Sequence, residues 1–141
     1  MRHVDALGAV EAITEGALMG AYRFRRYKNG AEDETGDIDT LTIVEQDKGK
    51  TEAVHRGVAL GESVARYVNM ARDWVNDSPN HVTPTFLKDQ AEATPGLQVT
   101  VMDLNGIREL SMGMFELVAK GSEQTPYLIH MAYKPANPVK K

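Results

Sequence analysis

The chain predicts an α/β fold: a partial mixed sheet covered by helices, with a long linking helix at about residues 51–76. Two observations carry this. Val54, Val58, Gly61, Ala65, Val68, Ala71 and Val75 form one apolar stripe at helical spacing, with Arg56, Glu62, Arg66 and Asp73 elsewhere on the cylinder. Three short runs rich in β-branched and aliphatic residues, TLTIVEQ at 40–46, LQVTVMD at 97–103 and PYLIHMAYK at 126–134, each follow a helical pattern. Helices alternating with strands in this way favour helices packed on a sheet.

Element by element, residues 5–22 place Leu7, Val10, Ile13, Ala17, Leu18 and Ala21 at helical spacing, although three glycines weaken the pattern. KNGAEDETGDID is polar and turn-rich, so it reads as a surface loop. The strand at 40–46 follows, then a DKGK turn and the long helix. In VNDSPNHVTPTFL the helix stops near Asn76, because proline disfavours helix for itself and for the residue before it. Thr83 then caps a new helix with Pro84 at its first position, where a missing N–H costs nothing. That helix ends before Pro95 and Gly96. The strand at 97–103, helical turns at LNGIREL and MGMFELVAKG, and the strand at 126–134 complete the order α-β-α-α-β-α-α-β.

Composition excludes several classes. With 141 residues the chain fits one ordinary domain, and no run approaches the roughly 18 to 20 apolar residues that span a bilayer. No membrane partner is expected. The start, MRHVDALGAVEAI, lacks the apolar core and cleavage site of an export signal, so a cytoplasmic location is expected. Zero cysteine removes disulfides, thiolate zinc sites and cysteine nucleophiles together. A net charge of −4 argues against a nucleic-acid partner, which needs a basic face.

Four motifs invite a chemical reading and fail it. Gly49-Lys50-Thr51 follows a strand and precedes a helix, but a phosphate loop needs a glycine where Val44 stands. YRFRRYK at 22–28 interleaves aromatics and cations like a single-strand groove, yet cations near a helix C-terminus complement its dipole while Tyr22 and Phe24 pack inward. Counted from Asp33, EDETGDID at 32–39 misses the calcium-loop register, with Ile38 at the sixth position and Val44 at the twelfth. His3, His55, His81 and His130 form no metal-ligand spacing, and Glu52 with His55 is a single Glu-x-x-His pair where a dimetal bundle needs two. No G-x-S-x-G marks an activated serine. The expected set of catalytic, cofactor-binding and metal-ligating residues is therefore empty.

ARDWVNDSPNHVTP resembles the A-R-x-L-x-N-x-P-x-N-x-x-T-P motif of the leucyl aminopeptidases (cytosol aminopeptidases). Ala71, Arg72, Asn76, Asn80, Thr83 and Pro84 match it; Trp74 replaces the leucine, and Ser78 stands where the proline would, with Pro79 one residue later. MGMFELVAKGSEQTP is similar to the family's M-G-x-x-x-x-V-x-x-G-S-x-x-x-P, and EGALMGAYRFRRYK looks like the helix closing its N-terminal domain. The resemblance implies a hydrolase that releases N-terminal residues from peptide substrates with two divalent metal ions, manganese or zinc. It implies an N-terminal α/β domain joined by a long helix to a catalytic domain, in a homo-oligomer of six subunits. The family's metal ligands lie in V-G-K-G-x-T-F-D-[ST]-G-G and N-T-D-A-E-G-R, and the chain contains neither. The expectation is thus an internal segment. Residues 1–50 would end the N-terminal domain, 51–78 would be the linking helix, and 79–141 would begin the catalytic domain, with no metal bound by this chain. The alternative is a stand-alone, non-catalytic interaction module on the same framework.

Overall fold

Residues 5–28 and 38–135 are described by the computed structural model, in two units, Met1–Asp77 and Ser78–Lys141. In the first, α1 spans Ala6–Gly20, and the Asp5 side chain caps it by accepting from the Gly8 amide at 2.6 Å. A single 3-10 turn, Lys48–Lys50, leads into α2, the 26-residue helix Thr51–Asn76. The bounds of α2 are those read from the stripe and the prolines.

The two helices run in the same direction and touch along a seam of small residues. Gly57 lies against Leu7 and Val10, Gly61 against Glu11 and Thr14, and Asn69 donates to the Leu18 carbonyl at 3.2 Å. Val10, Thr14 and Ala65 are buried in this seam. The Thr14 hydroxyl donates to the Val10 carbonyl of its own helix at 2.8 Å, which satisfies it inside the contact.

The predicted stripe is therefore only partly the buried one. Gly57, Gly61 and Ala65, spaced four apart, make the contact, whereas Val75 is 83% exposed and Val68 is 38% exposed. A partner helix this close accepts only the smallest side chains, so the valines fall to the flank or to solvent.

Parallel neighbours require a return path. Residues 38–46 run back without regular structure, so the strand predicted at 40–46 does not form. Alternation proposes a strand, but a ladder needs hydrogen-bonding partners, and the described residues offer this stretch none. Ile38, Leu41 and Ile43 instead border a groove of ≈ 600 Å³ with Leu18, Val54 and Val58.

In the second unit, α3 (Pro84–Ala93), β1 (Leu97–Met102), α4 (Leu104–Glu109), α5 (Gly113–Ala119) and β2 (Leu128–Tyr133) follow the predicted order. Gly96, at φ +80°, makes the turn into β1 that an L-residue would resist. β1 and β2 pair antiparallel from Leu97↔Tyr133 to Met102↔Leu128, and this pair is the whole sheet among the described residues. In β1, Leu97, Val99 and Val101 are the better covered positions and Gln98 and Thr100 are exposed. Ile107 of α4, 1% exposed, and Ala91 of α3 are this unit's most buried apolar residues. Removing a side chain like Ile107 from water contributes about 1.5–3 kcal/mol. The end of α4 is closed by Ser111 at φ 56°, with Met112 N–H donating to Ile107 O at 3.2 Å and Ser111 N–H to Arg108 O at 2.8 Å.

Candidate functional site

The motif residues that resemble the aminopeptidases build the exit from α2. Helical hydrogen bonding ends as Asp77 turns extended, at φ −79° and ψ 162°. Residues 78–81 then form a tight turn, with Pro79 at its second position, His81 N–H donating to Ser78 O at 2.8 Å, and Asn80 N–H donating to Ser78 Oγ at 3.3 Å. Thr83 caps α3 as read from sequence, its hydroxyl accepting from the Phe86 amide at 3.2 Å. The ring of His81 lies 5.5 Å from that of Phe86.

The second motif builds a helix, a turn and the approach to β2. Val118 and Pro126 line an apolar groove of ≈ 370 Å³ together with Pro84, Met114, Phe115 and Tyr127. Ser122 continues the turn, its amide donating to Ala119 O at 3.1 Å and its hydroxyl accepting from Gln124 N–H at 3.1 Å. Opposite the groove residues on α5, Glu116 accepts from Arg108 of α4 at 2.8 Å. That hydrogen bond, and the charge behind it, hold the Glu116 carboxyl below its usual range and the Arg108 guanidinium above its own.

The other candidates are scattered. Glu52 and His55 share the exposed start of α2, with His55, Glu62 and Asp39 bordering the first unit's groove. His130 is exposed on β2; His3 and most of the acidic loop at 32–39 lie outside the described residues. Among the described residues no three His, Asp or Glu side chains stand close enough together to hold a metal ion. The described donors therefore do not make up a dimetal centre. At Gly49 the amide that a phosphate would need is given to Asp47, 2.9 Å away, as the cap of the 3-10 turn. Arg23, from the YRFRRYK stretch, donates to Gly20 O at 3.2 Å at the end of α1, in keeping with the helix-terminus reading.

Sequence reasoning missed Asn69 and Asp73 of α2 and Asp77 at its C-cap, which reach Leu18, Tyr22 and Arg26 within the first unit. Their signal was available: 69, 73 and 76–77 continue the helical face of Gly57, Gly61 and Ala65 in polar residues.

A family model described as the cytosol aminopeptidase family, catalytic domain, matches residues 69–141, just over half of the chain. The chain belongs to the cytosol aminopeptidase family. Curated relatives agree along almost its whole length. The probable cytosol aminopeptidase of Aquifex aeolicus is 37% identical over 134 residues, 93% of this chain and 26% of that protein. That of Roseiflexus castenholzii is 39% identical over 86% of this chain and 26% of its own length, and that of Nostoc punctiforme 34% over 97% and 27%. The solved structure of the bottromycin maturation enzyme BotP in complex with Mn superposes with a TM-score of 0.76 at 26% identity, over 95% of this chain and 27% of that one. The chain thus spans about a quarter of the length of the cytosol aminopeptidases it matches. The match to the family's catalytic domain begins at Asn69, inside the last two turns of α2. No helix among the described residues is long and apolar enough to cross a membrane.

Proposed function

We propose that this chain is an internal segment of a cytosol aminopeptidase and serves as scaffold for the release of N-terminal amino acids from peptides. The observation that carries the reading is coverage: 93% of this chain aligns with only 26% of its Aquifex relative. Among the described residues the acidic and histidine side chains are scattered, whereas a dimetal centre needs a clustered donor set. In this reading two divalent ions, manganese or zinc, are held by residues beyond this segment. Residues 1–50 end an N-terminal domain, 51–78 link, and 79–141 begin the catalytic domain. The full-length enzyme is then a cytoplasmic hexamer, and this segment contributes to its assembly surfaces.

The test is turnover of a leucine anilide with added manganese or zinc. The purified 141-residue chain is expected to show none, whereas a chain extended to include V-G-K-G-x-T-F-D and N-T-D-A-E-G-R should turn over. Activity in the 141-residue chain alone sinks the scaffold reading. An interaction module remains the second reading, favoured by the apolar surface of α5, where Met114 is 77% and Val118 82% exposed. A reading frame that continues past Lys141 into V-G-K-G decides against it.

A further inference from the structure

Residues at the head of the family match turn their side chains towards the chain upstream of it. Arg72 lays its guanidinium 3.9 Å over the centre of the Tyr22 ring and donates to the Met19 carbonyl at 2.8 Å and to Asn69 Oδ1 at 3.0 Å. The Tyr22 hydroxyl donates to Asp73 at 2.8 Å and accepts from Asn76 Nδ2 at 3.2 Å, so both its functions are used. One turn on, Asp77 accepts from Arg26 and from the Tyr27 hydroxyl. Its side chain is only 4% exposed, a position in which an unpaired carboxylate is costly. Phe24 packs edge-on against Tyr27, with ring centres 5.8 Å apart, and stiffens the stretch between the two anchors.

We propose that residues 22–28 form a strap latched over the last turns of α2, and that Arg72, Asp73, Asn76 and Asp77 are positioning residues that hold it and define where α2 ends. The aromatic and cationic alternation of YRFRRYK is then the key to this latch. Tyrosines supply hydroxyls to the acids, and Arg26 supplies the charge that makes burial of Asp77 tolerable. The strap turns once at Lys28 N–H to Arg25 O, 3.0 Å, and residues 22–28 belong to no described helix or strand. Side chains hold it to α2. It can therefore lift without unwinding α1 or α2, and lifting removes the groups that satisfy Asp77 at the helix terminus.

The strap carries its own reporter, because Arg23, Arg25, Arg26 and Lys28 are trypsin sites, and cutting there speeds up as the segment leaves α2 to fit the protease. Limited trypsin digestion of the 141-residue chain, read by mass spectrometry, is the experiment. Asp77→Asn, Tyr22→Phe and Asn76→Ala should each speed cutting within 22–28 by about fivefold or more, since cleavage follows the open population. Cutting after Lys88 and Arg108 and the far-UV helix signal should stay at the parent level. Tyr27→Phe, which removes one oxygen, is the gentle variant, and combined with Asp77→Asn it should add almost nothing, because both open the same latch. Parent-level cutting of the strap in all four variants overturns the proposal. So does an acceleration shared equally by the Lys88 and Arg108 sites, which would report general loosening instead of a latch.

Discussion

Gly61 shows how little space separates α1 from α2. A Cβ there would lie 2.7 Å from the Glu11 carbonyl oxygen and 2.7 Å from Thr14 Cβ. Neither neighbour is the free end of a flexible side chain, so the helices would have to part. Alanine favours helix over glycine by up to about 1 kcal/mol, and forcing atoms into a packed seam costs about 1–3 kcal/mol. The clash should win, and Gly61→Ala should lower stability by about 1–2 kcal/mol in urea unfolding. Gly16, where a Cβ meets nothing within 4 Å, is the control. Gly16→Ala should stabilise by about 0.5–1 kcal/mol, because only the propensity gain remains. Glu116 offers a second residue-scale prediction. Its carboxyl is held below the ordinary value of 4.5, first by the Arg108 hydrogen bond. A depressed carboxyl contributes stability that is present above its unfolded pKa and lost as pH falls through the folded one. Acidification below about 4.5 should therefore loosen the α4–α5 pair. Glu116→Gln should remove that part of the acid dependence in a pH series of melting midpoints.

Between α2 and α3 the chain is governed by three side chains of opposite preference. Pro79 cannot continue a helix, Ser78 before it is pushed away from helical angles, and Thr83 opens the next helix as its hydroxyl oxygen accepts the Phe86 N–H. Thr83→Ala leaves that amide without its cap and should cost about 1 kcal/mol. Pro79→Ala enlarges the conformational freedom of the unfolded chain and should cost about 0.4–1 kcal/mol. Guanidinium unfolding midpoints of the two variants check both; an unchanged midpoint for Pro79→Ala would mean that Ser78 and Asp77 end α2 unaided. The segment at 40–46 makes the contrary point about elements. Its residues alternate as a strand should, but Val44 is 82% exposed and no ladder forms, since strand structure depends on a second strand.

Several features leave the molecule short of partners. β1 and β2 each present one unpaired edge among the described residues, and a two-stranded sheet is marginal in water. On α5, Met114, Leu117 and Val118 are more than half exposed, as is Leu110 before it. Contiguous apolar surface of this kind seeks another chain. The isolated 141-residue chain should therefore self-associate at micromolar to millimolar concentrations, with an average mass in sedimentation that rises with concentration. A compact monomer at all concentrations, with one sharp thermal transition, would contradict this and favour a stand-alone module over a scaffold segment.

The helices, the Thr83 cap and the end of α2 were legible in the residues themselves. Asp5, Thr83 and Asp103 each cap the helix that follows by accepting a backbone N–H three residues on, and Pro79 acts on its immediate neighbours. Such signals operate within a few residues and need nothing from the rest of the chain. Family membership was legible for a similar reason, because the corner and the α5 turn carry their motifs in unbroken stretches. The face of α2 that is buried, the failure of 40–46 to become a strand, and the polar side chains that close over Tyr22 and Asp77 were decided only by the tertiary structure. Each depends on what lies across a gap from the residue, at separations of about fifty positions, and helical periodicity marks a stripe without saying how near its partner will come.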